Sequence, residues 1–166
     1  MKLFRITLGA LLLAAPVFSQ QHDILTYTLH EQRAQVEQRL GPPANVALSG
    51  DFESWQYQIG VEDHHEFSHL LLFRVSTGEL VSYTRNYEPA ADVDALFPTG
   101  ETRVEHYPDA EHSAMVVRVR RMPGDRVLIA LGSSQPGEPA AQLLLIRESE
   151  LRNFHAWLDA RLHESK

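Results

Sequence analysis

The residues whose types and spacing could do chemistry lie together in Glu62-Asp63-His64-His65-Glu66-Phe67-Ser68-His69. Within that stretch, His65-Glu66-Phe67-Ser68-His69 reads H-E-x-x-H. On a helix, residues four apart share a face. His65 and His69 would then converge on one zinc ion while Glu66 acted as general base toward the metal-bound water. Glu88, nineteen residues past His69, is the candidate third ligand. That chemistry needs a helix, and the following residues argue for something else. His69 runs into Leu70-Leu71-Leu72-Phe73-Arg74-Val75, then the turn-forming Ser76-Thr77-Gly78, then Leu80-Val81-Ser82-Tyr83. This is the pattern of a β-hairpin. On a strand the two imidazoles would stand about 13 Å apart, too far for one ion. The expectation is therefore a non-enzymatic protein without a cofactor. The alternative is a small exported zinc-dependent hydrolase using Glu66 with His65, His69 and Glu88.

Two further polar groups stand out. Glu105-His106-Tyr107-Pro108-Asp109-Ala110-Glu111-His112 mixes acid and imidazole, but its proline and its polarity point to a solvated loop. Arg118, Arg120 and Arg121, with Arg126 across a turn, form the basic concentration of the chain. The spacing predicts an outward strand face paired with local carboxylates. As binding residues, Arg118, Arg120 and Arg126 would take an acidic partner. Ser133-Ser134 lacks the G-x-S-x-G elbow of a hydrolase, and neither a P-loop nor G-x-G-x-x-G occurs.

Composition narrows the classes. The chain has 166 residues, 15 Lys+Arg against 22 Asp+Glu, a formal charge of −7, and no cysteine. Without cysteine there is no disulfide framework, thiolate-held zinc, iron–sulfur cluster or cysteine nucleophile. An acidic balance argues against nucleic acid as a partner, since phosphate binding needs a basic surface.

The N-terminus resembles an export signal. Lys2 and Arg5 precede an apolar run from Ile6 to Val17, and Val17-Phe18-Ser19 offers a small-residue cleavage site. The run is too short to span a bilayer. The expected division is a signal peptide over 1–19 and one α+β domain over 20–166, with candidate halves 20–88 and 95–166. Cleavage would leave 13 basic groups against 22 acidic, a charge of −9. The product is expected in the periplasm or secreted, without a transmembrane span and without a lipid anchor. Its partner would be a protein or small molecule of the envelope.

Certain elements must position these groups. Thr28 to Leu40 predicts a helix, with Thr28 and Glu31 as a capping box, Leu29, Val36 and Leu40 as its stripe, and Gly41-Pro42-Pro43 as its stop. Trp55, Tyr57 and Ile59 alternate with polar residues as in a half-buried strand. Glu88 to Asp94 reads as a linker. Met115 to Arg121 and Val127 to Leu131 predict a second hairpin around Pro123-Gly124, and Ala141 to Ile146 a further strand. Ser149 would cap a last helix with Leu151, Phe154, Leu158 and Leu162 as its stripe. Helix, strands, strands, helix in blocks predicts α+β: antiparallel sheet with an N-terminal helix and a C-terminal amphipathic helix packed on it.

Residues 29 to 83 resemble a known family. Glu31-Gln-Arg-Ala-Gln-Val36-Glu-Gln-Arg-Leu40-Gly41-Pro42-Pro43 is similar to the helix and LG-x-P stop of the BamE (SmpA/OmlA) family. Trp55-Gln56-Tyr57 stands where that family has its W-x-Y strand, and Phe73 with Gly78-Glu79-Leu80-Val81 resembles its hairpin. The resemblance covers about a third of the chain. It implies a small α+β envelope module, of a kind that supports outer-membrane barrel assembly. The lipidated cysteine of that family is absent, so the resemblance implies a binding or scaffolding module without its usual anchor.

Overall fold

The computed structural model describes residues 24–62, 64–106, 115–133 and 139–164. The expected leader, Asp63 and residues 107–112 of the second acid–imidazole group lie outside them. The described residues form eight strands: β1 (Asn45–Ser49), β2 (Phe52–Glu62), β3 (His65–Arg74), β4 (Leu80–Ala91), β5 (Thr102–His106), β6 (Val116–Met122), β7 (Arg126–Ser133) and β8 (Ala140–Arg147). Helix α1 (Arg33–Leu40) precedes them, and α2 (Leu151–Phe154) and α3 (Ala156–His163) follow. The strands make one antiparallel sheet in the order β1-β2-β3-β4-β8-β7-β6-β5. The chain meanders through β1 to β4, crosses to the far edge, and meanders back until β8 closes against β4. Both candidate halves therefore contribute to one sheet.

One face of the sheet is covered across β2, β3, β4, β8 and β7, the other across β8, β7 and β6. On one face, Trp55, Leu71, Phe73, Tyr83, Leu128, Leu143 and Leu145 pack beneath Ile24, Tyr27, Leu29 and α1 Val36, with Val93 and Phe97 from the crossover. On the other, Val117, Val119, Val127, Ile129, Leu144 and Ile146 pack against Leu151, Leu158 and Leu162 of the C-terminal helices. Each fully buried aliphatic side chain contributes about 2 kcal/mol of apolar transfer. The fold is α+β, with an N-terminal helix and C-terminal helices against an antiparallel sheet. No helix among the described residues is long and apolar enough to cross a membrane.

The β3–β4 and β6–β7 hairpins form where the strand runs and turn residues predict them, with turns at Gly78 (φ 72°) and Gly124 (φ 79°). Expectations about three segments are corrected. The first helix starts at Arg33, not near Thr28, because the β3–β4 turn takes up the preceding backbone. Leu80 N donates to the Glu31 carbonyl at 2.8 Å, Arg33 N to the Gly78 carbonyl at 3.0 Å, and Gln32 forms a bridge with Glu79. The capping box is consequently formed by Gln32 and Gln35. The stretch beginning at Glu88 is not a linker over its whole length, since β4 continues to Ala91. The last helix is broken at His155 (φ −138°, ψ 61°), which turns Phe154 off the buried stripe and leaves it 36% exposed. Ser149 does not cap it; its hydroxyl donates to Asp125 in the β6–β7 turn at 2.8 Å.

Candidate functional site

The H-E-x-x-H residues lie on β3, with ladders on both sides. His65 pairs with Glu62, Glu66 with Val61 and Glu88, and His69 with Tyr57 and Arg85. Backbone committed to two ladders cannot coil, so the helix required by the zinc reading does not form. His65 and His69 share a sheet face at a strand separation of about 13 Å. Glu66 and its cross-strand partner Glu88 occupy the opposite face. The set His65, Glu66, His69 and Glu88 is therefore not brought together. His65 Nδ1 instead donates to the Pro89 carbonyl at 3.0 Å. Among the described residues, no three His, Asp or Glu side chains are grouped to hold a metal ion.

His69 belongs to a buried polar cluster. Its Nδ1 is hydrogen-bonded to the Tyr83 hydroxyl, which also accepts from Arg85 Nε at 3.1 Å. Arg85 Nη1 reaches the Tyr87 hydroxyl at 3.4 Å, and its guanidinium lies 4.8 Å from the Phe67 ring centroid. Tyr27 stacks on Tyr83 with centroids 4.0 Å apart. Burial raises the Tyr83 and Tyr27 phenols above their usual range, and burial followed by the Glu37 carboxylate pushes Tyr57 up to about 12. These phenols stay neutral at ordinary pH and serve as hydrogen-bonding groups, not bases. At 3% exposure Arg85 is as buried as the aliphatic core around it. Sequence reasoning missed this cluster, although Tyr83, Arg85 and Tyr87 at two-residue spacing already place three polar tips on one strand face.

Arg118, Arg120 and Arg126 share one face, which is not the solvent face, whereas Arg121 is exposed on the other and pairs with Glu148 at 2.9 Å. Arg118 is 4% exposed, paired with Asp94 and 5.3 Å from the Phe97 ring centroid. Arg120 donates to the Leu96 carbonyl at 3.1 Å and pairs with Glu101 at 2.7 Å. Arg126 Nη1 donates to the Leu25 carbonyl at 3.0 Å and the Tyr27 carbonyl at 3.4 Å. All three fasten the crossover or the N-terminal segment to the sheet. The cause is that both faces of β6 and β7 are covered, so alternation separates two interiors here and not inside from outside.

The two sheet edges are chemically unlike. β5 carries Arg103, Glu105 and His106, with Arg103 and Glu105 ion-paired. Charges of this kind protect an exposed edge against pairing with another chain. β1, with the sequence Asn-Val-Ala-Leu-Ser, carries none, and all five residues are exposed. Val46 is 49% and Leu48 70% exposed, on the face that Trp55 shares. Pro42-Pro43 and the Gly50 turn bound the strand and keep it short. The arrangement can accept a further strand by backbone hydrogen bonding.

No family model, curated protein or solved structure matches the chain.

Proposed function

We propose that this chain is a non-enzymatic exported envelope protein, a binding or scaffolding module that engages its partner along β1. The observation carrying this reading is the uncharged, exposed β1 edge, beside polar side chains such as His69 and Arg118 that are used inside the fold. Backbone groups at such an edge supply affinity, and alternating side chains such as Val46 and Leu48 supply selectivity. The leader-like first nineteen residues support export to the periplasm or beyond. The BamE-like order of helix, LG-x-P stop, W-x-Y strand and glycine hairpin supports an envelope role. It supports barrel assembly less directly, because one fold hosts many functions.

The test is capture from envelope extracts by wild-type protein and by Leu48→Lys, which puts a charge on the edge without touching the core. Loss of the captured partner in the variant is expected; equal capture by both proteins would remove β1 from the reading. Metal analysis tests the hydrolase alternative. Stoichiometric zinc in wild type, lost in His65→Ala, would reverse the proposal in favour of a metal-dependent enzyme.

A further inference from the structure

From β1 we infer one specific occupant: a second copy of this chain, joined edge to edge about a two-fold axis through Ala47. The inference rests on β1 being the binding edge and adds the identity of what covers it.

The argument is self-complementarity. An antiparallel pair of identical strands centred on Ala47 sets Val46 opposite Leu48 of the second copy, and Asn45 opposite its Ser49. That register pairs all five residues of both strands. Cross-strand partners share a sheet face. Two Val46 and two Leu48 side chains would then form one aliphatic patch, continuous with the face that carries Trp55. On the other face the Asn45 and Ser49 amide and hydroxyl groups meet as hydrogen-bonding partners, flanking Ala47 against Ala47. No like charges are brought together, although the chain as a whole carries −7. Asp51, next in the turn, is already paired with Arg74 at 2.7 Å. A closed two-fold pair uses up both β1 edges and leaves the β5 edges, guarded by Arg103 and Glu105, at the ends of a continuous sheet. Five-residue strands bury much less than the roughly 1,200–2,000 Å² of a permanent complex. The dimer is accordingly reversible and concentration-dependent.

The absence of cysteine makes a register-specific test available. Opposed residues in an antiparallel pair have Cα atoms about 4.5–5.5 Å apart, within the range a disulfide spans. Ala47→Cys should therefore oxidise to a covalent dimer. Asn45→Cys, whose two copies would stand about 14 Å apart along the strands, should stay monomeric under the same oxidant. Both positions are exposed, and unchanged circular dichroism would verify that the variants fold. Sedimentation equilibrium of the cysteine-free protein should show its mass rising toward twice the monomer with concentration, and Leu48→Lys should abolish the rise. Equal crosslinking of the two cysteine variants, or none by Ala47→Cys, overturns the inference, as does a mass rise that survives Leu48→Lys. Partner capture that depends on Leu48 without the covalent homodimer would sink this inference while leaving β1 as the binding edge.

Discussion

Arg74, at the end of β3, donates from one terminal nitrogen to both carboxylate oxygens of Glu150, at 2.6 Å each. The pair joins the β3–β4 hairpin to the start of the C-terminal helices across 76 residues of sequence. Phe52 stacks edge-on to Phe154 beside it with centroids 4.9 Å apart. Glu150 also accepts from Asn153 at 2.8 Å, so its carboxylate fixes the first turn of α2 as well.

Glu150→Ala should therefore destabilise the protein by about 2 kcal/mol, between the values for exposed and buried ion pairs. A lower urea midpoint with an unchanged slope is the expected result. Replacing both partners, as Arg74→Met with Glu150→Leu, should recover part of the loss through apolar packing beside Phe52, although Asp51 also loses its partner. A double variant as unstable as Glu150→Ala would show that the contact's value lies elsewhere.

Arg147 makes a second long-range tie. Its Nε donates to the Leu29 carbonyl, its Nη2 to the Leu80 carbonyl at 2.7 Å, and its Nη1 pairs with Glu79 at 3.1 Å. Three directions from one planar group cannot be reproduced by an ammonium. Arg147→Lys should cost about 2 kcal/mol through carbonyls left without their donor. Hydrogen exchange should find the amides of α1 and the β3–β4 turn less protected than those of β7. Unaltered exchange at α1 would mean that the N-terminal segment is held by its apolar residues alone.

What the sequence disclosed follows from what alternation encodes. Met115 to Arg121 reads as a strand because a pleated backbone sends successive side chains to opposite faces, and Leu70 to Val75 because a short apolar, β-prone run ends at a glycine turn. Both faces of β6 and β7 are covered, so the same alternation could not tell that Arg118 points into an interior. β1 was illegible for a related reason. Five residues that bury no side chain carry no burial pattern, and their edge position is set by the strand order, a long-range property. The break at His155 also escaped, because Leu151, Leu158 and Leu162 keep seven- and four-residue spacing across it.

Glycine at 132 is required by both conformation and space. Its φ is +103°, and an added Cβ would lie 2.8 Å from the Ala141 Cβ and 3.0 Å from the Ala141 backbone nitrogen on the paired strand β8. Gly124 has φ +79° but nothing within 4 Å of the same position. Gly132→Ala should cost about 3 kcal/mol, combining backbone strain with a collision against backbone. Gly124→Ala should cost about 1 kcal/mol from the left-handed conformation alone. Thermal unfolding of the two variants side by side checks the ordering, and equal shifts would remove the steric contribution assigned to Ala141.

His155 occupies the break between α2 and α3. Its amide donates to the Leu151 carbonyl at 2.7 Å, and its own carbonyl accepts from Leu158 at 2.9 Å and Asp159 at 3.0 Å. Burial lowers its imidazole below the ordinary value of 6.5, so the folded protein favours the neutral ring. Above that value neither state binds the proton and His155 contributes no pH dependence. As pH falls through 6.5, the unfolded chain takes up a proton that the folded protein resists. Stability is then lost until the folded value is also passed. The urea midpoint of wild type relative to His155→Gln should therefore decline between pH 7.5 and pH 5, a window above most carboxylate titrations. A difference that stays flat across it would mean that the folded protein accepts the proton as readily as the unfolded chain, and that the break between the helices is not closed to water.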